Sequence, residues 1–240
     1  MNTYGDGFVD IRHQMTIRQL QEEPIPFFIL PNWIKSSTRC GFNIDPIFRE
    51  LGIETRMINL ESATINRPLM EKVMEACVAQ SRQQHFPFVL GETFAFEYLP
   101  DLATFLTTSP NLREALKIFD WVRELINPMI NVQLVEQPPL ALLVLAANEG
   151  DRPYFTESLF ASIIKFSRVL LRRDEDAAFR EMRFKHAPPK YAEAYRQFFA
   201  TNILFNQRTN AEAFEHELLD RPIEGAFPVL HQQAEYLVEQ

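Results

Sequence analysis

Apolar residues recur at helical spacing through the first half of this chain and switch to alternation after residue 128. Phe42 to Leu51 reads as a short helix with Asp45 as N-cap and Pro46 at the first helical position; Gly52 then stops it. In the next helix Asn66 is the cap and Pro68 stands in the first turn, with Leu69, Val73, Met74 and Cys77 on one stripe. A longer helix is expected from Ser109, its N-cap, with Pro110 as first residue. Leu112, Ala115, Leu116, Phe119, Val122, Leu125 and Ile126 share a face, and Asn127-Pro128 ends it. The apolar run Pro26 to Ile34, interrupted by Pro31, opens the ordered domain. Phe86 to Leu99 is a compact aromatic stretch with a break at Pro87.

In the second half Val132 and Leu134 alternate with polar neighbours, which predicts a strand, and Pro138-Pro139 makes a turn. Leu140 to Ala147 reads as the second strand, although a short apolar run also fits a buried helix. Phe155 to Leu171 is a long helix with Leu159, Phe160, Ile163, Phe166 and Leu170 on one side. Glu181 to His186 alternates with Met182 and Phe184 inward, and Tyr191 to Phe199 is a short helix. Ile203 to Phe205 and Ala213 to Leu218 are short strands, and a final helix covers 228–238. The fold class is α+β: a helical N-terminal half followed by a small, mainly antiparallel sheet with packed helices. Residues 1–29 form a polar tail, and 30–240 form one domain with a helical part (30–128) and an α+β part (129–240).

Composition narrows the function classes. The net charge of −8 repels a nucleic-acid backbone, so direct nucleic-acid binding is disfavoured. No apolar run reaches the ~18 residues of a membrane span, and the first residues lack the basic start and apolar core of a signal peptide. Two cysteines, Cys40 and Cys77, are too few for a disulfide scaffold and fit reduced thiols in a cytoplasmic protein. Only 7 glycines argues against a turn-rich barrel and against a glycine-rich phosphate loop. The 21 phenylalanines fit an aromatic core, or a pocket for an apolar ligand.

Catalytic chemistry is not signposted. The five histidines, His13, His85, His186, His216 and His231, show no ligand spacing, and no HExxH, GxSxG, GxGxxG or phosphate-loop motif is present. No metal or cofactor is therefore expected. Asp174, Glu175 and Asp176 beside Arg172 and Arg173 read as a solvated helix end. His186 follows a strand and precedes Ala187-Pro188-Pro189, where it either bonds a loop carbonyl or faces a ligand.

One ordered series of segments is specific. It comprises EMRFKHAPP (181–189), Tyr191, Tyr195, Phe198-Phe199, Ile203, Phe205, Asn210, Phe214 and LLDRPI (218–223). GFNIDPIFRELGIE (41–54), LGETF (90–94) and FLTTSPNLREALKIFDWV (105–122) precede it. In order and spacing these segments resemble the N-terminal regulatory domain, often labelled arabinose-binding, of one subgroup of AraC/XylS-type bacterial transcriptional regulators. The resemblance covers roughly residues 30–238. It implies a fold distinct from the cupin jelly roll of the arabinose regulator itself, and it does not imply arabinose.

That resemblance implies a non-enzymatic sensor that binds a small effector, dimerises, or does both, and so controls operator DNA through a helix-turn-helix domain. No basic helix-turn-helix pair occurs in these 240 residues; the expectation is that such a domain follows Gln240, the alternative being a truncated paralogue that lacks it. Pattern alone nominates Phe94, Phe96, Trp121, Phe155 and His186 as pocket lining, for an apolar or amphipathic effector; each also fits plain core packing. The stripes 110–126 and 228–238 are candidate dimer contacts. The competing readings are a protein-interaction module and a small-molecule enzyme with an unfamiliar site.

Overall fold

The computed structural model describes residues 24–27, 29–53, 64–82, 84–96, 99–127, 130–146, 153–171 and 179–240. The expectations for the first 23 residues, His13, Tyr98, Pro128, Ala147 and the charged stretch 172–178 fall outside these residues.

Strand β1 (Pro24–Pro26) pairs antiparallel with β2 (Thr64–Asn66) and sets Ile25 opposite Ile65. Both isoleucines and Phe27 are buried, so the folded unit takes in the end of the segment read as tail. Helix α1 (Leu30–Arg39) carries Pro31 in its first turn. Proline is harmless there, because the first N–H groups of a helix have no intrahelical acceptor. The apparent interruption is thus a helix start.

Helix α2 (Asp45–Glu50) corrects one cap. Asn43 Oδ1 accepts the Asp45 N–H at 3.0 Å, while Asp45 lies within the helix and pairs with Arg49. Gly52 follows at φ +73°, a conformation costly for any residue with a Cβ. Helix α3 (Arg67–Gln80) is capped as expected, Asn66 Oδ1 accepting the Leu69 N–H at 2.9 Å. Cys77 is on its buried stripe with Met70, Val73 and Met74.

The aromatic stretch becomes helix α4 (Phe86–Thr93), and α5 (Pro100–Thr108) follows it; each has proline in its first turn. Ser109 does not start the next helix. Its Oγ donates back to the Phe105 carbonyl at 2.8 Å and closes α5, and Asn111 is the cap, accepting the Glu114 N–H at 2.9 Å. The expected long helix is broken into α6 (Leu112–Ala115), α7 (Ile118–Trp121) and a π-helical turn over Val122–Ile126. Leu112, Ala115, Val122 and Ile126 remain buried, but Leu125 is 39% exposed. The wider π turn adds a residue per turn and moves Leu125 off the stripe.

Strands β3 (Val132–Gln137) and β4 (Leu140–Leu145) form a hairpin across Pro138-Pro139. Helix α8 (Pro153–Leu171), β5 (Phe179–Arg183), α9 (Ala192–Phe199), β6 (Asn202–Leu204), β7 (Asn210–Glu215) and α10 (Pro228–Val238) complete the chain. The sheet order is β3-β4-β7-β5-β6, antiparallel except for the β5–β6 pair, and the sheet is open rather than a closed barrel. Strand β7 begins three residues earlier than the spacing suggests, and His216–Leu218 turn instead as a short 3-10 helix. Asn210 starts β7 and fixes its neighbour, its Oδ1 accepting the Lys185 N–H at 2.9 Å.

Two large apolar clusters form most of the core, and a small third one, Leu142 with Ala211 and Ala213, lies on the other face of the sheet. One of the two large clusters gathers β1, β2 and α1 to α4 around Trp33, Phe48, Met74 and Phe86. The other joins α5 to α10 and one sheet face around Phe105, Phe160, Met182, Phe184 and Tyr195. Helices α4 and α8 hold the two together. At their crossing a Cβ on Gly91 would overlap the Ser158 carbonyl oxygen and lie 2.6 Å from Ala161 Cβ, so only glycine admits this approach. The Ser162 hydroxyl donates to the Gly91 carbonyl at 3.1 Å across the same contact.

Candidate functional site

A cavity of about 230 Å³ lies at the seam between the two clusters. Trp33 on α1, Met70 on α3 and Leu90 on α4 supply one side. Leu106, Leu112, Ile118 and Val122 supply another, and Leu159, Ile163 and Phe166 of α8 a third. Most of the lining is aliphatic or aromatic, as in sites that take apolar ligands, and the cavity is partly open to solvent. A cavity of ~150 Å³ holds a benzene ring, which scales to a ligand of about ten non-hydrogen atoms here.

Of the residues that pattern nominated, Phe94, Phe96 and Phe155 line this cavity. Phe94 meets Phe96 edge-on at 5.1 Å, and Phe96 stacks on Phe166 at 5.3 Å. Trp121 and His186 are not on the wall. Trp121 packs edge-on against Phe105 at 4.5 Å, and Phe105 in turn stacks on His231 of α10. His186 lies with Phe184, Phe205 and Tyr195; its Nδ1 donates to the Ala187 carbonyl at 2.8 Å. Of the two readings of His186, the loop-carbonyl bond is the one observed.

The cavity is not uniformly apolar. Asn32, Trp33, Arg67 and Glu71 also line it. Arg67 Nε donates to Glu71 Oε1 at 2.9 Å, so these opposite charges compensate each other. Asn32 Nδ2 donates to the Leu90 carbonyl at 3.1 Å. The other Asn32 amide atom, Oδ1, and the Trp33 indole Nε1 are buried without a hydrogen-bond partner among the described residues. Sequence reading missed this group. Asn32 and Trp33 sit in a run read as apolar, and nothing local ties them to residue 67.

A second polar group is fully satisfied. Glu157 is completely buried, and its carboxylate accepts from Tyr191, from Tyr195 and from His85 Nε2 at 2.6 Å. Burial first, then the Glu157 charge, pushes both tyrosine hydroxyls well above the usual phenol range, so they stay protonated donors. This cluster ties α4, α8 and α9 together beside the cavity and does not line it. The Cys77 and Cys40 thiols are both buried and pushed up by desolvation, as befits inert core residues. No group of three or more metal-ligating side chains occurs among the described residues. No described helix is long and apolar enough to cross a membrane.

Helices packed on an open α+β sheet thus leave a partly open, mainly apolar cavity at the seam of the two clusters. Residues 41–223 match the family model described as the arabinose-binding domain of AraC transcription regulators, N-terminal, and the chain belongs to that family. The family is one of regulator domains, not of enzymes. The fold is similar to the crystal structure of the transcriptional regulator CdpR from Pseudomonas aeruginosa, with a TM-score of 0.57 at 16% identity. The similarity covers 84% of this chain and 62% of that one, so this chain corresponds to less than two thirds of CdpR. No curated protein is a significant match.

Proposed function

We propose that the chain is the sensing half of a cytoplasmic AraC-type regulator and that its effector occupies the cavity at the seam of the two core clusters. The mainly apolar cavity supports this reading most directly. An effector acts only if it prefers one arrangement of the regulator over another. A ligand between the clusters contacts both, so it is sensitive to their relative packing. The effector is apolar or amphipathic, and operator DNA is bound through a helix-turn-helix domain outside these residues.

Native mass spectrometry before and after organic extraction tests the reading. A bound molecule of about ten non-hydrogen atoms, lost from a Leu159→Trp variant that fills the chamber, supports it. The same molecule retained undiminished by that variant places the binding site elsewhere and overturns it.

Dimerisation has a candidate surface on α10. Phe227, Val229 and Tyr236 are 54%, 69% and 62% exposed there, an apolar stripe on an otherwise acidic protein. In the other stripe considered, 110–126, the apolar residues Leu112, Ala115, Ile118, Val122 and Ile126 are buried. A concentration-dependent dimer that Val229→Glu and Tyr236→Glu dissolve, seen by sedimentation, assigns the interface. A monomer at high concentration removes dimerisation from this domain.

A further inference from the structure

We infer that the cavity selects a neutral amphiphile whose polar head both donates and accepts hydrogen bonds, a hydroxyl or a primary amide, with Trp33 and Asn32 as its reading residues. This deepens the effector reading above and rests on it.

The inference comes from two buried atoms. Trp33 is only 1% exposed, and its Nε1–H is a donor without a partner among the described residues. Asn32 Oδ1 is an enclosed acceptor in the same state. The amide orientation is fixed by the bond from Asn32 Nδ2 to the Leu90 carbonyl, so the open atom is the oxygen. Both side chains belong to the cavity wall and are adjacent at the start of α1. A buried polar group left unmatched costs roughly 1–3 kcal/mol, so two of them on one wall mark where a complementary group belongs.

The chemistry of that group follows by elimination. A hydrocarbon satisfies neither atom. A carboxylate accepts from Trp33 Nε1 but brings its negative charge against the Asn32 oxygen. The two charged residues of the lining, Arg67 and Glu71, have opposite signs and bond to each other, so together they bring no net charge to hold an anion. A hydroxyl or primary amide accepts from the indole and donates to the amide oxygen, and it enters without a desolvated charge. The mainly aliphatic and aromatic remainder of the chamber takes the apolar body.

Calorimetric titration of the folded protein with size-matched probes tests this. The series is phenylethanol, phenylacetamide, phenylacetate and propylbenzene, repeated with octanol, octanamide and octanoate. The expected ranking places the alcohols and amides about tenfold tighter than the carboxylates and the hydrocarbon, the worth of one good hydrogen bond. Trp33→Phe removes the donor and keeps an aromatic ring. It should erase most of that advantage while leaving propylbenzene affinity within about twofold. Carboxylates binding as tightly as alcohols, or Trp33→Phe weakening all probes equally, overturns the inference. Propylbenzene binding with no preference for a head group overturns the inference alone and leaves the effector cavity standing. Failure of every probe in both series overturns both. If Trp33→Phe does not fold, the ranking on the unaltered protein decides.

Discussion

Arg113 and Asp220, 107 positions apart in the sequence, face each other through two parallel hydrogen bonds, Nε to Oδ1 at 2.7 Å and Nη2 to Oδ2 at 2.9 Å. The same guanidinium reaches Glu136 of β3 at 2.6 Å, and Glu136 also receives His216 Nε2 at 2.7 Å. The Arg113 backbone N–H donates to the Leu219 carbonyl at 3.0 Å. Two segments that carry the family resemblance, 105–122 and 218–223, are thereby fastened together and to the edge of the hairpin. Arg113 holds the Glu136 and Asp220 carboxyls below the usual carboxylate range, chiefly through these hydrogen bonds.

Arg113→Ala should lower the Tm at neutral pH, and by less in high salt, because the network is solvent-exposed. The sign of the pH dependence follows from the depressed carboxyls. Their contribution is complete above the ordinary carboxylate values and fades as the pH falls through the lowered ones. Melting curves of the two proteins should therefore converge in acid. A constant gap down to pH 2 would mean that lost packing, not charge, is responsible.

Glu212 stands on the central strand β7 opposite Leu143 and Met182, completely buried. Neither carboxyl oxygen has a hydrogen-bond partner among the described residues. Desolvation pushes this acid well above its ordinary value, favouring its neutral form in the fold. Here the sign is opposite. The penalty is absent below the unfolded-state carboxyl value and grows as the pH rises above it. Glu212→Gln should match the parent in acid and exceed its Tm by roughly 3–6 °C at pH 8. An equal or lower Tm at pH 8 would show that the carboxyl has a compensating partner.

The α4–α8 crossing depends on Gly91. Gly91→Ala should destabilise the protein by about 3 kcal/mol in denaturant titration, because the clash is with α8 backbone rather than with a movable side-chain end. A change under about 0.5 kcal/mol would mean the two helices separate freely, contrary to the contact described.

Tyr195→Phe deletes one of the three donors to the buried Glu157 carboxylate while keeping the ring that packs against Phe88 and Phe184. The expected loss is about 2 kcal/mol, the range for a hydrogen bond to a charged group. Tyr191→Phe should cost less, since its bond is 3.1 Å and the residue is only part-buried. The reverse order would place the stronger bond on Tyr191.

Much of the fold was legible because it depends on local patterning. The stripe of α3, the cap at Asn66, the inward Met182 and Phe184, and the helix-then-sheet order all follow from periods of 3.6 and 2. Prolines misled in both directions. Pro31 and Pro87 looked like interruptions and are first-turn residues, while Ser109-Pro110 looked like a helix start although Ser109 bonds back to Phe105. A serine hydroxyl serves either end of a helix, and the sequence around it does not say which. The break of the expected long helix into α6, α7 and a π turn leaves no local mark either, because the same apolar stripe serves both forms.

The sequence by itself determined the fold class, α+β with an aromatic interior, from composition and period, and the order of its segments carried the resemblance to a regulatory domain. It also placed Phe94, Phe96 and Phe155 among candidate wall residues, because apolar runs must pack somewhere. Only the tertiary structure decided which apolar residues surround a space and which simply fill one. Trp121 and His186 fill; Phe94, Phe96 and Phe155 surround. It also decided that Asn32 and Trp33 share a wall with Arg67 and Glu71. A cavity is what remains when two separately built clusters meet without full complementarity, and no window of sequence contains both sides of that meeting.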